Sequence, residues 1–223
     1  MKVMILAARR KGITLRQMHR HAGEVHAPLA LSAPDADAFA HYQQTHVTDG
    51  AYGELAPGPF DIVAEDTFVS PEAFNRIGQS EYFREKIAPD EARFGDLSSR
   101  IFFFVQEHLV RDIWRADTLK AVFLLKKKSN VEDSAFLESW QALDRVLSPA
   151  IKGAVRNMPV QAPPGMPEVF HSPPLFDGAM VLWAQAENAA EEFHRYWVEL
   201  KALAEIDAER SLYVIGSECV IIP

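Results

Sequence analysis

His19 and His26, on the stretch TLRQMHRHAGEVHAPLAL from Thr14 to Leu31, are the first residues of this chain whose spacing could serve chemistry. Leu15, Met18, Ala22, Val25 and Leu29 recur three and four apart, the period of one helix face. At about 100° per residue, positions seven apart nearly eclipse, so both imidazoles fall on one shoulder of that face. An imidazole titrates near neutrality and can act as acid or base without a cofactor. Further candidates follow. His46 in QQTHV shares a face of an extended segment with Tyr42 and Gln44 by period two, Glu65 lies in DIVAEDTF with Val63 and Thr67, and His108 lies in EHLV. His with a buried Glu, raised by desolvation, suits removal of a proton next to a carbonyl and expulsion of water or carbon dioxide. Plainer roles exist for each: half-exposed strand ends for His46 and His108, an ion pair of Glu65 with Arg100, and core packing for Tyr42 and the Phe102–Phe104 run.

Length and composition narrow the classes. A chain of 223 residues has room for one large domain or two of about 100 residues each. The net charge of −8 and pI near 5.5 argue against nucleic acid as a partner. No run of about 18 apolar residues exists, so no membrane span is expected. MKVMILAARRKG has a short apolar run followed by Arg9, Arg10 and Lys11, and it reads as a strand rather than a signal peptide. The single cysteine, Cys219, permits no internal disulfide, fits a reducing cytoplasm and excludes a cysteine-based zinc or iron–sulfur cluster. A glycine-rich phosphate loop is absent, so no nucleotide is expected.

The elements that must position these residues repeat. Val3 to Ala8 reads as a strand, and Thr14 with Gln17 as the capping box of the helix to Leu31. Strands at Phe39 to Val47 and Asp61 to Phe68 follow, with a Gly50, Gly53, Pro57 loop between them. A helix begins at Ser70-Pro71 and continues towards Glu85, and Arg100 to Val110 is a strand. The order β-α-β-β-α-β then recurs. Leu119 to Lys126 is a strand, Val131 to Leu147 a helix and Ile151 to Val160 a strand. Beyond the Pro163–Pro174 loop, with Pro167, come strand Asp177 to Ala184, helix Asn188 to Ala204 and strand Ser211 to Ile222. KVMILAARRKG beside KAVFLLKKKSN and FDIVAEDTF beside FDGAMVLWA show the similarity directly. Each half matches the split βαβ, ferredoxin-like unit, whose bare sheet face must be buried against a second sheet. The expected fold class is therefore α+β: two ferredoxin-like repeats, residues 1–112 and 118–223, packed as an intramolecular dimeric α/β barrel. Further homo-oligomerisation is compatible with this but not required for burial.

Laying one half on the other gives an internal control. Asp144 falls opposite His26, Met158 opposite His46, Val181 opposite Glu65, Cys219 opposite His108 and Leu137 opposite His19. Arg100 and Glu107 reappear as Arg210 and Glu218, which marks those two as structural. A fold that needed the imidazoles and Glu65 would require them twice, so the first half is expected to hold one polar pocket.

That half resembles the EthD family, in an ordered set of motifs: HxxxxxxHxP on the helix, xxHV on the second strand, a Glu on the third and EH on the fourth. The second half looks like a degenerate copy. The resemblance implies the dimeric α/β-barrel fold, and activities such as polyketide cyclisation, dehydration or decarboxylation, or accessory roles in degrading ethers or aromatics. The expected function is a cofactor-independent acid–base enzyme of the lyase or isomerase kind, or a cofactor-free oxygenase, acting on a small aromatic, polyketide-like or carbonyl substrate. His26 is the expected acid–base residue with His46 and Glu65 as helpers, and His19, Tyr42 and His108 as polar groups against substrate. Two alternatives stand beside it. One is a non-catalytic ligand-binding or accessory protein. The other is a metal or haem barrel, although three His and a Glu here have no compact metal motif such as HExxH.

Overall fold

Eight strands carry the segments expected to be extended: β1 (Lys2–Ala7), β2 (Phe39–Val47), β3 (Ile62–Phe68), β4 (Ile101–Arg111), β5 (Thr118–Leu125), β6 (Ile151–Val160), β7 (Gly178–Gln185) and β8 (Leu212–Ile222). The computed structural model describes residues 1–48, 58–166, 171 and 173–223, and the expected loop residues Gly50, Gly53, Pro57 and Pro167 lie outside them. The strands close a barrel in the order β1-β3-β2-β8-β5-β7-β6-β4, each neighbouring pair antiparallel. Read by halves this is β4-β1-β3-β2 and β8-β5-β7-β6, the same order twice, joined along β2–β8 and β4–β6. Closure removes the sheet edges that either half alone would expose.

The ladders also agree in register. Met4 faces Glu65 and Phe103, and Val122 faces Val181 and Val214. Matching Met4 to Val122 places Lys2 with Lys120, Glu65 with Val181, Asp66 with Leu182, and Glu107 with Glu218. Period two then sorts each strand into a barrel-facing and a helix-facing row. Met4, Leu6, Val63, Phe103, Val122, Leu124 and Val181 fill part of the barrel interior and are buried. A chain of charges lies beside them. Lys2 reaches Glu65 at 2.9 Å and also binds Glu107, while Lys120 binds Glu65 and reaches Glu218 at 2.9 Å. Arg115 closes the series on Glu218 at 2.7 Å. Lys2–Glu107 and Lys120–Glu218 are thus the same ion pair in both halves, and Glu65 bridges them without a counterpart.

Helices cover the outer faces. In the first half, α1 (Leu15–His21), a π-helical turn (Ala22–His26) and α2 (Ala27–Leu31) run as one rod. Thr14 caps it as expected: its Oγ1 accepts from Gln17 N at 3.2 Å, and Gln17 Oε1 accepts from Thr14 N at 2.8 Å. α3 (Pro71–Gln79) is capped by Ser70, whose Oγ accepts from Ala73 N. The chain then restarts at Ser80, whose Oγ accepts from Phe83 N. It continues through a second π-helical turn (Phe83–Ile87) and α4 (Ala88–Phe94), well past the Glu85 end expected from the sequence. The second half has α5 (Asp133–Ala142) and α6 (Ala189–Ala202). No helix among the described residues is long and apolar enough to cross a membrane.

The space under the second-half helices is filled with rings. Phe123 lies 5.1 Å from Tyr196 and 5.3 Å from Tyr213, and Trp197 packs on Tyr213. Trp140 lies on the bare backbone of Gly178, where a Cβ would come within 2.5 Å of the indole. Arg156 stacks on the same indole at 5.0 Å and binds Asp144 at 2.5 Å. Trp140 and Trp197 thus pack between helix and sheet. Trp183 instead faces into the barrel, under the Lys120 ammonium at 4.9 Å.

Candidate active site

Between the first-half sheet and its helices lies a cavity of about 1010 Å³. Phe39, Phe68, Phe74, Phe83, Phe94, Phe102, Phe103 and Phe104 give its wall an aromatic character, so it suits a flat apolar molecule. Ionisable and hydroxyl groups interrupt them: His26 and Glu91 from the helices, Tyr42 and Asp66 from the sheet, Arg100 just before β4, and His171 from the second half, beside the amides of Gln44, Asn75, Gln79 and Gln161.

The helix wall is shaped by two prolines. Pro28 lacks the N–H that would bond to the carbonyl of Glu24, and its ring crowds that carbonyl. The rod accommodates one extra residue just before it, and the Ala27 N–H bonds back five residues to Ala22 O. Pro89 follows the second π turn in the same way, with Ala88 N bonded to Phe83 O. The consequence is a change of face. In a regular helix, residues five apart diverge by about 140°, whereas the wider i→i+5 turn brings them towards the same side. His21 and His26 therefore converge on one carboxylate: Asp90 Oδ1 lies 2.9 Å from His21 Nε2, and Oδ2 lies 3.0 Å from His26 Nδ1.

His19 and His26, expected side by side, are separated by the same insertion. His19 turns towards β2, where it lies 2.9 Å from the Asp61 carbonyl and stacks on His46 at 4.6 Å. Asp90 is buried, and its bond to Nδ1 fixes the His26 ring and leaves Nε2 to meet a ligand. Phe94 packs against both rings, 5.2 Å from His21 and 5.0 Å from His26.

On the sheet wall, Tyr42, Gln44 and His46 share the helix-facing row, as period two predicts. Gln44 Nε2 donates to the Ala22 carbonyl at 3.3 Å, which fixes the amide orientation. The same nitrogen donates to Tyr42 Oη at 2.6 Å, and His46 Nε2 donates to Gln44 Oε1 at 2.8 Å. Burial and the adjacent His19 lower the His46 imidazole to about 4, so it is neutral at pH 7 with its proton on Nε2. Burial, reinforced by Asp66, raises Tyr42 far above its ordinary value, so the phenol stays protonated. Because its oxygen already accepts from Gln44, its own hydrogen remains for a ligand.

The remaining expected residues lie elsewhere. Glu65 is on the opposite row of β3 from Tyr42 and Asp66, inside the barrel, and does not meet His26. Burial opposes its ionisation, but Lys120 and Lys2 outweigh that and hold the carboxyl at about 2. Its partners are those lysines rather than Arg100, which binds Glu91 and stacks on Phe102 at 4.5 Å. Arg100, expected to be structural, is part of the cavity wall, whereas Glu107 and Glu218 are framework ion pairs. His108 is exposed, opposite Arg156 on β6, and does not line the cavity. His19 and His46 stand behind the wall rather than on it.

Three carboxylates escape the sequence reading: Asp66, Asp90 and its neighbour Glu91. Asp66 is one residue from the Glu that the motif suggested, and strand alternation with Tyr42 would have picked it out. Asp90 lies beyond the expected helix end, but KIAPDE repeats the Ala-Pro of EVHAPL and marks the second π turn.

Among the described residues no three His, Cys, Asp or Glu side chains are grouped to hold a metal ion.

Residues 10–98 match the EthD domain, and they include the His26–Asp90 pair and both π turns. Dehydratase ustZ of Ustilaginoidea virens is 25% identical over 103 residues, covering 41% of this chain and 72% of that protein. Among solved structures, an anthrone oxidase-like protein aligns over 99% of this chain and 92% of its own at 11% identity, with a TM-score of 0.60. A chlorite dismutase mutant of Candidatus Nitrospira defluvii aligns over 99% and 91% at 10% identity and a TM-score of 0.55. At such identities these two structures speak for the fold alone, a dimeric α/β barrel. The stretch that matches the EthD domain, residues 10–98, thus holds His26, Asp66, Asp90 and most of the helices over the cavity.

Proposed function

We propose that this protein is a cofactor-independent acid–base enzyme of the EthD type, a lyase, cyclase or decarboxylase acting on a small aromatic, polyketide-like or carbonyl substrate. The observation that carries this is the His26–Asp90 pair at the edge of a Phe-lined cavity. Asp90 orients the imidazole and stabilises the charged ring that forms when Nε2 takes a proton. The dehydratase name of the ustZ relative supports expulsion of water as the first chemistry to test. Residues 1–112 carry the acid–base groups, residues 160–162, 171 and 173–175 add to the cavity wall, and the rest of residues 118–223, with Trp140 packed under its own helices, closes the barrel. His46 acts through Gln44 on Tyr42 rather than on the substrate.

The test is a panel of bicyclic β-hydroxy ketones and aromatic acids assayed for loss of water or carbon dioxide. Turnover should fall by about 100-fold or more in His26→Ala. Turnover that this substitution leaves intact overturns the assignment, and saturable binding of the panel without turnover favours a ligand-carrying or accessory protein.

A further inference from the structure

Asp66 is not used by the base at His26, and its setting asks for a role. It lies on the sheet wall of the cavity, with the helices that carry His26 forming the other wall. Tyr42 is its cross-strand partner in the β2–β3 ladder, so the two side chains stand next to each other on one face. Asp66 is over nine-tenths buried, and its Oδ1 has no hydrogen-bond partner. The fold does not require a carboxyl there, since Leu182 holds the equivalent place in the second half. A buried carboxyl without a cation beside it resolves the conflict by keeping its proton. Burial, with Glu65 and Glu91 adding to it, pushes Asp66 up to about 8. At neutral pH the wall therefore presents two adjacent neutral O–H groups, one from a phenol and one from a carboxylic acid.

We propose that Tyr42 and Asp66 form an oxyanion-binding pair that receives the oxygen of a planar cyclic enolate or phenol. This rests on the reading of His26 as the base. Such a pair donates two hydrogen bonds to a single oxygen and gains most when that oxygen becomes negative, while neither group transfers its proton. The step balances within the substrate. His26 Nε2 takes the hydrogen next to the carbonyl, and the C–H electron pair moves to give an enolate whose oxygen is held by Tyr42 and Asp66. Collapse of the enolate breaks the bond to a β-hydroxyl, and His26 returns its proton to that oxygen to form water. The ligand class follows: a fused-ring ketone or phenol, flat enough to lie among the phenylalanines, with its oxygen against β2 and β3.

A naphthol is the probe, because it is a planar phenol whose fluorescence reports ionisation, and binding needs no turnover. Wild type should bind it and lower its ionisation pH relative to water. Asp66→Leu, which copies the leucine that the second half carries at 182, and Tyr42→Phe should each weaken binding about tenfold or more and abolish that shift. Asp66→Asn keeps a neutral donor and should bind within a few-fold of wild type. Thermal melts of all three variants establish that each is folded. Naphthol binding unchanged in folded Asp66→Leu overturns the pair, as does an equal loss in Asp66→Asn and Asp66→Leu, which would mean that the proton itself is transferred. Loss of turnover in His26→Ala with no role for Asp66 in binding removes the pair alone, whereas Asp66-dependent binding with His26-independent turnover removes the base alone.

Discussion

Glu65→Gln separates framework from chemistry. Glu65 is 1% exposed and lies between Lys2 and Lys120, which are themselves buried. Removing one member of a buried ion pair leaves the other charge uncompensated and costs about 3–5 kcal/mol. Here each lysine keeps a second carboxylate, Glu107 for Lys2 and Glu218 for Lys120, which places the loss at the low end, about 3 kcal/mol. With a urea m-value of about 1–3 kcal/mol per M, the unfolding midpoint should fall by roughly 1–3 M. The pH dependence has a definite sign. The folded carboxyl, at about 2, lies below its ordinary value. Its contribution is therefore complete above about pH 4.5 and is lost as pH falls towards 2. The gap between wild type and variant should be full at pH 7 and narrow through that window, followed by circular dichroism in urea. A variant within about 0.5 kcal/mol of wild type at pH 7, or a gap that does not narrow in acid, refutes the ion-chain account. Loss of turnover in a variant of unchanged stability would return Glu65 to the chemistry.

Three further outcomes follow from the geometry. Gly216→Ala should destabilise by several kcal/mol, on the order of 3, in thermal or urea unfolding, because a Cβ there would lie 2.2 Å from the His46 carbonyl oxygen across the β2–β8 seam. His46, held at about 4 by burial and His19, lowers stability as pH falls from about 6.5 to 4, since the unfolded imidazole takes up its proton first. His46→Gln should flatten the stability profile in that window, and a direct NMR titration of His46 near 6.5 would contradict its burial. Asp90→Asn should leave the chain folded while lowering turnover by about 10- to 1,000-fold, and a rate equal to wild type would show that Asp90 does not orient His26.

The strand segments were legible because alternation and β-branched or aromatic runs mark them residue by residue, as in Phe39–Val47 and Ile151–Val160. The capping box at Thr14, the doubled order of elements and the shared row of Tyr42, Gln44 and His46 were legible for the same local reason. Lys2 and Lys120, and Glu107 and Glu218, could be matched by eye, but nothing local announces that Glu65 lies between both lysines. Three strands from two halves meet there only after the barrel closes.

The site was divided likewise. From the sequence came a helix with His26 near its end, an HxP motif and the second half as a control without them. Whether His26 faced His19 or His21 could not be read from a period of 3.6, because Pro28 displaces one residue and the packing of two π turns decides where it goes. The choice between Glu65 and Asp66 is a matter of one residue in a strand, and one residue is a whole face. Sequence therefore determined the elements and the half that carries His26, while closure of the barrel and the opposed π turns decided which carboxyls meet the imidazole and which hold the scaffold together.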